Sequence, residues 1–273
     1  MITRFAPTPS GFLHEGNAVN ALLVAWLAHQ VHAQVALRID DLDAARLRPA
    51  YVEDIFDTLR WLDITWQIGP TDAEDLVALH GSHRRIDRYR DVLASARAAG
   101  LHVYACRCSR RMLAGLATGG CPSGCRDADL AHVAGETVLR AHVPEGARVA
   151  VDGEDVDIAR TAGDVVLWRR DDLPAYHLAS IVDDHDLGVT HIVRGVDLRE
   201  STALQRFLAP FLAASDIAEA TYVHHALVTG PDGQKLSKSQ LERGAPLPHT
   251  EAERERIHDL ATAIGAGVGI TPP

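Results

Sequence analysis

The sequence is poor in aromatic residues, has no long apolar run and carries no leader pattern at its start. Phe, Trp and Tyr make up 5% of its 273 residues and hydrophobic residues 47%, a balance typical of a soluble globular protein. No apolar stretch approaches the roughly 20 residues of a membrane-spanning helix. Residues 1–11 lack the apolar core of a signal peptide. We therefore expect a cytoplasmic protein without a membrane segment.

A basic excess and a dinucleotide fingerprint are also missing. The chain has 37 acidic and 27 basic residues and a formal net charge of −10, whereas general nucleic-acid binders are usually basic. Any contact with RNA phosphates must therefore come from a local group of Lys and Arg side chains. The turn after the first predicted strand lacks G-x-G-x-x-G, which disfavours a nicotinamide-dependent oxidoreductase.

The sequence has four cysteines, and all of them lie in one short segment. Even spacing would have suggested disulfides, but clustering in a cytoplasmic chain favours a metal site. Cys106 and Cys108, followed by Cys121 and Cys125, supply four thiolates, a common ligand set of tetrahedral zinc. Four protein ligands leave no open position, so we predict one structural Zn²⁺. Four reduced, unliganded cysteines are the alternative.

The hydrophobic pattern predicts strands and helices in alternation. Residues 2–6 and 35–39 have the character of buried strands, and residues 18–32 between them repeat apolar side chains at helical spacing. This β-turn-α-β order is the unit of a parallel nucleotide-binding sheet. Further helices are predicted from residue 49, over 81–99 with Gly100 after it, over 176–182 and over 201–213, with strands at 101–104 and 190–193.

The middle of the chain follows a different pattern. Between Val138 and Trp168, short apolar segments are separated by Gly, Pro and Asp, which is typical of an antiparallel β insertion. After Ser239 the tail is polar and then rich in Ala and Gly, and no helix is predicted there. The predicted fold class is α/β, a Rossmann-like doubly wound parallel sheet with a zinc-containing, β-rich insertion.

Residues 9–17, Pro-Ser-Gly-Phe-Leu-His-Glu-Gly-Asn, lie between a predicted strand and a predicted helix. A glycine-containing turn lets the backbone approach a phosphate, and the positive end of the helix dipole favours negative charge. His14 can donate a hydrogen bond to a phosphate oxygen. The segment therefore indicates a phosphate site, and an ordinary turn with a surface histidine is the alternative.

Residues 234–239, Gln-Lys-Leu-Ser-Lys-Ser, form a second polar segment beside a glycine. Lys235 and Lys238 can gather around a triphosphate and stabilise the charge of departing pyrophosphate. Taken alone, such a stretch is usually a solvated surface loop.

Together the two segments match, in order and separation, the two signature motifs of class I aminoacyl-tRNA synthetases. His-Glu-Gly-Asn at 14–17 stands at the His-x-Gly-His-type motif, and Lys-Leu-Ser-Lys-Ser at 235–239 stands at the Lys-Met-Ser-Lys-Ser loop. Three further blocks resemble the glutamyl branch: R-F-A-P-T-P-S-G-x-L-H-x-G from residue 4, R-I-D-D-L-D at 38–43, and the segment 176–195. The resemblance covers residues 2 to 240, nearly the whole chain.

Within that branch the chain resembles the glutamyl-Q tRNA(Asp) synthetase family. A full glutamyl-tRNA synthetase carries a long anticodon-binding part, for which the short stretch after Ser239 leaves no room. The family attaches glutamate to the queuosine base at the wobble position of tRNA(Asp). It often has Cys-x-Cys followed by Tyr-x3-Cys, and Cys121 stands here at the tyrosine position.

The resemblance implies roles for individual residues. Guanidinium groups suit carboxylate binding, and Arg4 and Arg194 match arginines that contact the amino acid. Asp40 matches the acidic residue that holds its ammonium group. The implied glutamate-binding set is Arg4, Ala6, Thr8, Asp40, Tyr176 and Arg194. The implied ATP-binding set is Pro7, Thr8, Ser10, His14, Gly16, Lys235 and Lys238, with His14 and Lys238 as catalytic residues and Mg²⁺ accompanying ATP.

Three positions depart from the family pattern. Asn17 ends the first signature motif where His or Gly is common, Asp40 replaces a glutamate, and Ser180 lies where full-length glutamyl enzymes often have Asn. Because unpaired polar groups decide amino-acid discrimination, these changes bear on substrate choice.

The function implied is ATP-dependent activation of L-glutamate and its transfer to queuosine in tRNA(Asp) by a monomeric enzyme. The alternatives are a truncated or split glutamyl-tRNA synthetase that charges tRNA(Glu), a glutamate ligase with a non-tRNA acceptor, and a non-catalytic RNA-binding paralogue. The implied domains are a first core half at 1–100, a zinc-binding and acceptor-contact insertion at 101–170, a second core half at 171–230, and the Lys-Met-Ser-Lys-Ser-type loop with a short stem-contact region at 231–273.

Overall fold

The computed structural model describes residues 1–43, 47–109, 112, 121, 124–229 and 245–273. The chain divides into two units. The parallel-sheet unit comprises Met1–Arg84, Leu187–Asp197 and Ala220–Pro273, and the antiparallel unit comprises Arg85–Asp186 and Leu198–Glu219. Within the described ranges, none of the helices combines the length and the apolar character that crossing a bilayer requires.

The parallel-sheet unit is built on four strands in the order β2-β1-β8-β9, and every neighbouring pair is parallel. The strands are β1 Ile2–Phe5, β2 Gln34–Leu37, β8 His191–Gly195 and β9 Thr221–His225. The helices of this unit are α1 Glu15–Gln30, α2 Pro49–Trp61, α3 Ala73–Asp75 and α9 Glu251–Ala266. The predicted parallel α/β architecture is confirmed.

The strand order reverses beside β1. The next strand in the chain, β2, pairs with one edge of β1, whereas β8 pairs with the other edge. In open parallel sheets, ligands bind at the carboxyl ends of the strands, where the order reverses. The turn after β1 and the residues after β8 therefore lie at the edge where a ligand is expected.

Alternation along the strands gives the sheet two different faces. Phe5 and Val193 belong to the hydrophobic core that also contains α1. Arg4 and Arg194 are their chain neighbours, and successive side chains of a strand point to opposite faces. In the register of β1 against β8, Thr3 is level with His191, so Arg4 and Arg194 point to the same face of the sheet. Both arginines therefore lie on the sheet face away from the α1 core.

Helix α9 was not predicted from the sequence. It begins after Thr250, whose side chain accepts a hydrogen bond from the N–H of Glu253 at 3.3 Å. Its buried positions, Ile257, Ala261 and Gly265, recur every fourth residue. A Cβ on Gly265 would lie 2.9 Å from Cδ2 of Leu23 in α1, so the small residues that resemble a loop in the sequence allow two helices to pack closely.

The antiparallel unit contains a three-stranded sheet and a hairpin, which confirms the predicted β-rich insertion. The sheet order is β3-β4-β7, and the hairpin pairs β5 with β6. The strands are β3 Val103–Cys106, β4 Val138–Ala141, β5 Arg148–Val151, β6 Glu154–Asp157 and β7 Val165–Trp168. The helices are α4 Ile86–Ala98, α5 Ile158–Thr161, α6 Tyr176–Asp186, α7 Arg199–Leu208 and α8 Ser215–Glu219.

Two helices of this unit are joined by a buried polar contact. The hydroxyl of Tyr89 in α4 donates to the carboxylate of Asp183 in α6, at 2.8 and 2.9 Å. Arg85 donates to the same carboxylate at 2.7 Å. Burial raises the pKa of Tyr89, so the phenol stays a donor. The contact fixes α6 against α4. Helix α6 begins at the predicted pocket residue Tyr176.

Four predicted helices have different bounds in the structure, and two of the differences have a visible local cause. The helix predicted from residue 81 begins at Ile86, because a π-helical turn at Leu76–His80 and a 3₁₀ turn at Ser82–Arg85 precede it. Gly100, after its end, has a φ of 92°, as its predicted capping position requires. The helix predicted over 201–213 ends at Leu208, two residues before Pro210, which has no N–H to continue it.

Candidate active site and metal centre

The turn after β1 leads into helix α1, and His14 holds the junction. Nδ1 of His14 accepts a hydrogen bond from the N–H of Gly16 at 3.1 Å, so the neutral ring carries its proton on Nε2. The N–H of His14 donates to Oδ1 of Asn17 at 3.1 Å, which completes a capping box. A ring N–H thereby lies at the positive end of a helix, where an anion is stabilised.

The other predicted ATP-binding residues divide between this turn and the second motif. Pro7 is buried, whereas Thr8 and Ser10 are exposed on the turn, and the N–H of Ser10 donates to the carbonyl of Thr8 at 2.9 Å. Gly16 is tightly placed, since a Cβ would lie 3.1 Å from Cε1 of His14. The predicted residues Lys235 and Lys238 lie outside the described residues.

A cavity of about 490 Å³ lies beside the turn, inside the parallel-sheet unit. One wall carries an ion-pair cluster that sequence reasoning missed: Arg256 of α9 contacts Glu15 and Glu253, each at 2.6 Å. Hydrogen bonds to Glu253 and Glu15 raise the pKa of Arg256. The cluster ties α9 to the first turn of α1. The lining residues are 10–15, Tyr51, 245–248, Glu253 and Arg256.

Two guanidinium groups are buried on the sheet face opposite the α1 core. Arg4 is 5% exposed and Arg194 is 3% exposed. The guanidinium of Arg194 lies over the ring of Tyr222 in β9, 5.1 Å from its centroid. Guanidinium groups bind carboxylates through two parallel N–H bonds, so two of them on one sheet face suit a ligand with two carboxylates. Ala6, the residue after β1, is half-buried at the same edge of the sheet.

Asp40 has a partner that the sequence interpretation did not include. Nε of Arg38 donates to Oδ1 of Asp40 at 2.8 Å, and Nη2 donates to Oδ2 at 3.2 Å. The R-x-D spacing on extended chain, which puts both side chains on one face, is the signal that would have found the pair. The pair presents a carboxylate whose orientation is set by a fork of two hydrogen bonds.

The remaining predicted pocket residue, Tyr176, begins α6 in the antiparallel unit and is 42% exposed. One helical turn further, Ser180 is buried and accepts a hydrogen bond from Nε2 of Gln205 in α7 at 2.7 Å. Ser180 is one of the three departures from the family pattern, and Gln205 supplies a buried amide next to its short side chain.

The four cysteines converge, as a metal site requires. The sulfur atoms of Cys106, Cys108, Cys121 and Cys125 all lie within 4.8 Å of one another. Four thiolates around zinc at about 2.3 Å would be spaced roughly 3.8 Å apart, a separation that matches this cluster. Burial raises the pKa of the Cys106 thiol to about 12, so a bound cation would be needed to keep it as a thiolate. The donor set therefore fits Zn²⁺.

Asp164 organises the chain beside this cluster and was not predicted. It accepts hydrogen bonds from the hydroxyl of Tyr104 at 2.6 Å and from Nη2 of Arg126 at 3.1 Å. Nδ1 of His142 and the N–H of Val143 each lie 2.9 Å from its other oxygen. Burial alone would raise the pKa of Asp164, but these bonds outweigh burial and lower it. The ionised carboxylate thereby links β3, β4 and β7.

A family model described as "tRNA synthetases class I (E and Q), catalytic domain" matches residues 1–116 and 126–252. The chain belongs to this family of class I tRNA synthetases, and the expectation of an ATP-dependent ligase is confirmed.

Relatives named glutamyl-Q tRNA(Asp) synthetase confirm the finer resemblance. The one from Pseudomonas aeruginosa PAO1 is 38% identical over 255 residues, which cover 92% of this chain and 81% of the relative. The one from Pseudomonas syringae pv. tomato is 40% identical over 258 residues, covering 92% and 80%. The one from Rhodobacter capsulatus is 34% identical over 293 residues, covering 97% of this chain and 100% of the relative.

Solved structures support the fold. A glutamate-tRNA synthetase from Elizabethkingia anophelis superposes with a TM-score of 0.68 at 24% identity, covering 89% of this chain and 53% of that one. A Mycobacterium tuberculosis methionyl-tRNA synthetase in complex with methionyl-adenylate gives 0.55 at 13% identity, covering 96% and 63%. The chain thus spans somewhat more than half the length of these solved chains.

Proposed function

We propose that this chain activates L-glutamate with ATP and transfers it to a tRNA, with queuosine at the wobble position of tRNA(Asp) as the acceptor. The observation that carries the proposal is the pair of buried arginines, Arg4 and Arg194, on one sheet face beside the turn capped by His14. The acceptor is proposed from the relatives that are named glutamyl-Q tRNA(Asp) synthetase.

Glutamate carries two carboxylates and one ammonium group, and each needs a partner in the site. The planar guanidinium groups of Arg4 and Arg194 bind the carboxylates. Asp40 binds the ammonium group, because a carboxylate that accepts two bonds from Arg38 still has acceptor positions left. Ala6 and Thr8 complete the proposed amino-acid pocket of the parallel-sheet unit. Tyr176 is proposed to bind glutamate on the family resemblance alone.

Activation joins a carboxylate oxygen of glutamate to the α-phosphorus of ATP and breaks the bond to pyrophosphate. This step needs positioning and charge stabilisation rather than a protein nucleophile. His14 donates its Nε2 proton in a hydrogen bond to a phosphate oxygen, and Lys235 and Lys238 stabilise the departing pyrophosphate. Pro7, Thr8, Ser10 and Gly16 shape the turn beneath ATP, which enters with Mg²⁺ as part of the substrate.

Transfer follows when a hydroxyl of the queuosine ring attacks the mixed anhydride. The new ester bond forms at the glutamyl carbonyl, AMP leaves, and the hydroxyl proton is released. The proposed enzyme works in the cytoplasm as a monomer. One Zn²⁺ held by Cys106, Cys108, Cys121 and Cys125 stabilises the antiparallel unit and takes no part in the chemistry.

Glutamate-dependent exchange of pyrophosphate into ATP tests the activation step, first without tRNA and then with it. Members of the glutamyl-Q family activate glutamate without tRNA, so we expect exchange with glutamate alone. Exchange that requires tRNA(Glu) would replace the proposal with a split glutamyl-tRNA synthetase. If exchange occurs but labelled glutamate is transferred to no tRNA, the acceptor is a different molecule. The absence of glutamate-dependent exchange would overturn the proposal.

A further inference from the structure

We propose that Tyr222 is a positioning residue of the glutamate site, whose ring holds the guanidinium of Arg194 in the orientation that receives a carboxylate. The carbon at the centre of that guanidinium lies 5.1 Å from the ring centroid. This inference deepens the proposed function and rests on the assignment of Arg194 to the substrate.

The strand register explains how the two side chains meet. In the parallel pair β8 and β9, Arg194 is level with His224 and Ile192 is level with Tyr222. Alternation puts Arg194 and Tyr222 on the same face of the sheet, offset by two residues along the strands. The long arginine side chain spans that offset and reaches the ring.

Burial makes the contact more valuable than a similar one at the surface. Arg194 is 3% exposed and Tyr222 is 9% exposed. A guanidinium taken out of water loses hydration, and the electron-rich face of a ring replaces part of it. Cation–π attraction is larger when the cation is desolvated. The ring of Tyr222 therefore favours this position of the guanidinium over others.

The ring itself is braced against movement. The ring of His224, two residues further along β9 and on the same face, is nearly parallel to it, with an interplanar angle of 10° and a centroid distance of 6.4 Å. Val189, Ile192 and Ala220 belong to the same buried apolar cluster as Tyr222. These neighbours limit the positions that the ring can adopt beside Arg194.

The guanidinium of Arg194 lies over the ring of Tyr222, an arrangement in which the ring meets the face of the arginine rather than its edge. A guanidinium binds a carboxylate in its own plane, through its N–H groups, whereas a ring lies against its face. Loss of the ring should therefore weaken glutamate binding without altering the ATP site at the turn capped by His14. The Michaelis constant for glutamate should therefore rise while the turnover number stays the same.

The test is pyrophosphate exchange with glutamate and ATP titrated separately, on wild type, Tyr222→Phe and Tyr222→Leu. We expect Tyr222→Leu to raise KM for glutamate about tenfold, with kcat and KM for ATP unchanged. Tyr222→Phe keeps the ring and should behave as wild type. Phe207→Leu removes a ring from the Phe207–Phe211 pair of the antiparallel unit and is the matched control, expected to leave all three constants unchanged.

Two results for Tyr222→Leu would overturn the inference. One is a wild-type KM for glutamate. The other is an equal rise in KM for glutamate and for ATP, together with a lower Tm. If Tyr222→Leu does not fold, the comparison uses Tyr222→Phe and a variant with pentafluorophenylalanine at position 222. These two side chains have nearly the same shape, but the fluorinated ring has lost the negative charge of its face. Equal KM values for these two would also overturn it. Absence of exchange by wild type would instead refute the proposed function.

Discussion

The backbone N–H of His14 donates to the side-chain oxygen of Asn17 at 3.1 Å, at the first turn of α1. This bond gives one departure from the family pattern a structural reason, because the Asn17 side chain supplies the returning half of a capping box. The same histidine is proposed to face the phosphates of ATP. The capping bonds therefore orient the group that is expected to bind the nucleotide.

Asn17→Ala should weaken both the helix start and the reaction. Loss of one capping bond costs about 1 kcal/mol of unfolding free energy, and a less well held His14 should slow pyrophosphate exchange. Thermal unfolding and exchange rates measure the two effects. Asp72→Ala is the control, since Asp72 caps α3 by accepting from the N–H of Asp75 at 2.8 Å. If Asn17→Ala loses no more exchange activity than Asp72→Ala, the role of Asn17 is structural only.

His14→Asn separates the cap from the phosphate contact. An asparagine side chain caps a helix well but has no ring N–H in the place of Nε2. We expect nearly wild-type stability, with activation slowed by about 10²-fold, the usual cost of one lost donor to developing charge. The rate is measured as single-turnover formation of glutamyl-adenylate by stopped flow or quenched flow. A wild-type rate would remove His14 from the phosphate site.

Cys108→Ser should impair metal binding, since Sγ of Cys108 lies 3.1 Å from Cys121 and 4.0 Å from Cys125. Metal analysis of the purified wild type is expected to find one zinc per chain, and the variant should retain less and unfold at a lower temperature. Ser109→Ala, at the next residue, should keep the metal. A wild-type protein that unfolds identically before and after chelation would argue against a structural zinc.

His225 should make the parallel-sheet unit sensitive to mild acid. Burial lowers the pKa of His225, whose ring contacts Oδ1 of Asn20 at 3.1 Å and the carbonyl of Ala226 at 2.8 Å. Its unfolded pKa is about 6.5, so its contribution to stability is complete above that value and is lost as the pH falls through the lower folded pKa. Between about pH 7 and 5, the unfolding free energy of wild type should therefore fall more steeply than that of His225→Gln. Urea unfolding across this range measures the slopes, and parallel slopes would contradict the assignment.

The sequence predicted the parts of the fold that have a strong local pattern. The strand at the start of the chain, the apolar helix after it and the clustered cysteines depend on residues that are near each other in sequence. The β-rich insertion was predicted for the same reason. Helix α9 was missed because its buried stripe consists of Ile257, Ala261 and Gly265, and small residues give a weak hydrophobic signal.

The contacts between distant residues could not be predicted in the same way. Which face of β8 carries Arg194, and which aromatic ring lies against it, depends on the register of β8 with β9. The ion pair of Arg256 with Glu15 depends on α9 packing against the start of α1. Local periodicity contains neither register nor packing, so these partners appear only in the folded chain.

Transfer of labelled glutamate to purified tRNA tests the proposed acceptor most directly. Three tRNAs are compared: tRNA(Asp) that carries queuosine, tRNA(Asp) from cells that lack it, and tRNA(Glu). We expect the wild-type protein to label only the first, and the label to disappear when the wobble nucleotide is removed. Label on tRNA(Glu), or equal label on both forms of tRNA(Asp), would contradict the proposed acceptor.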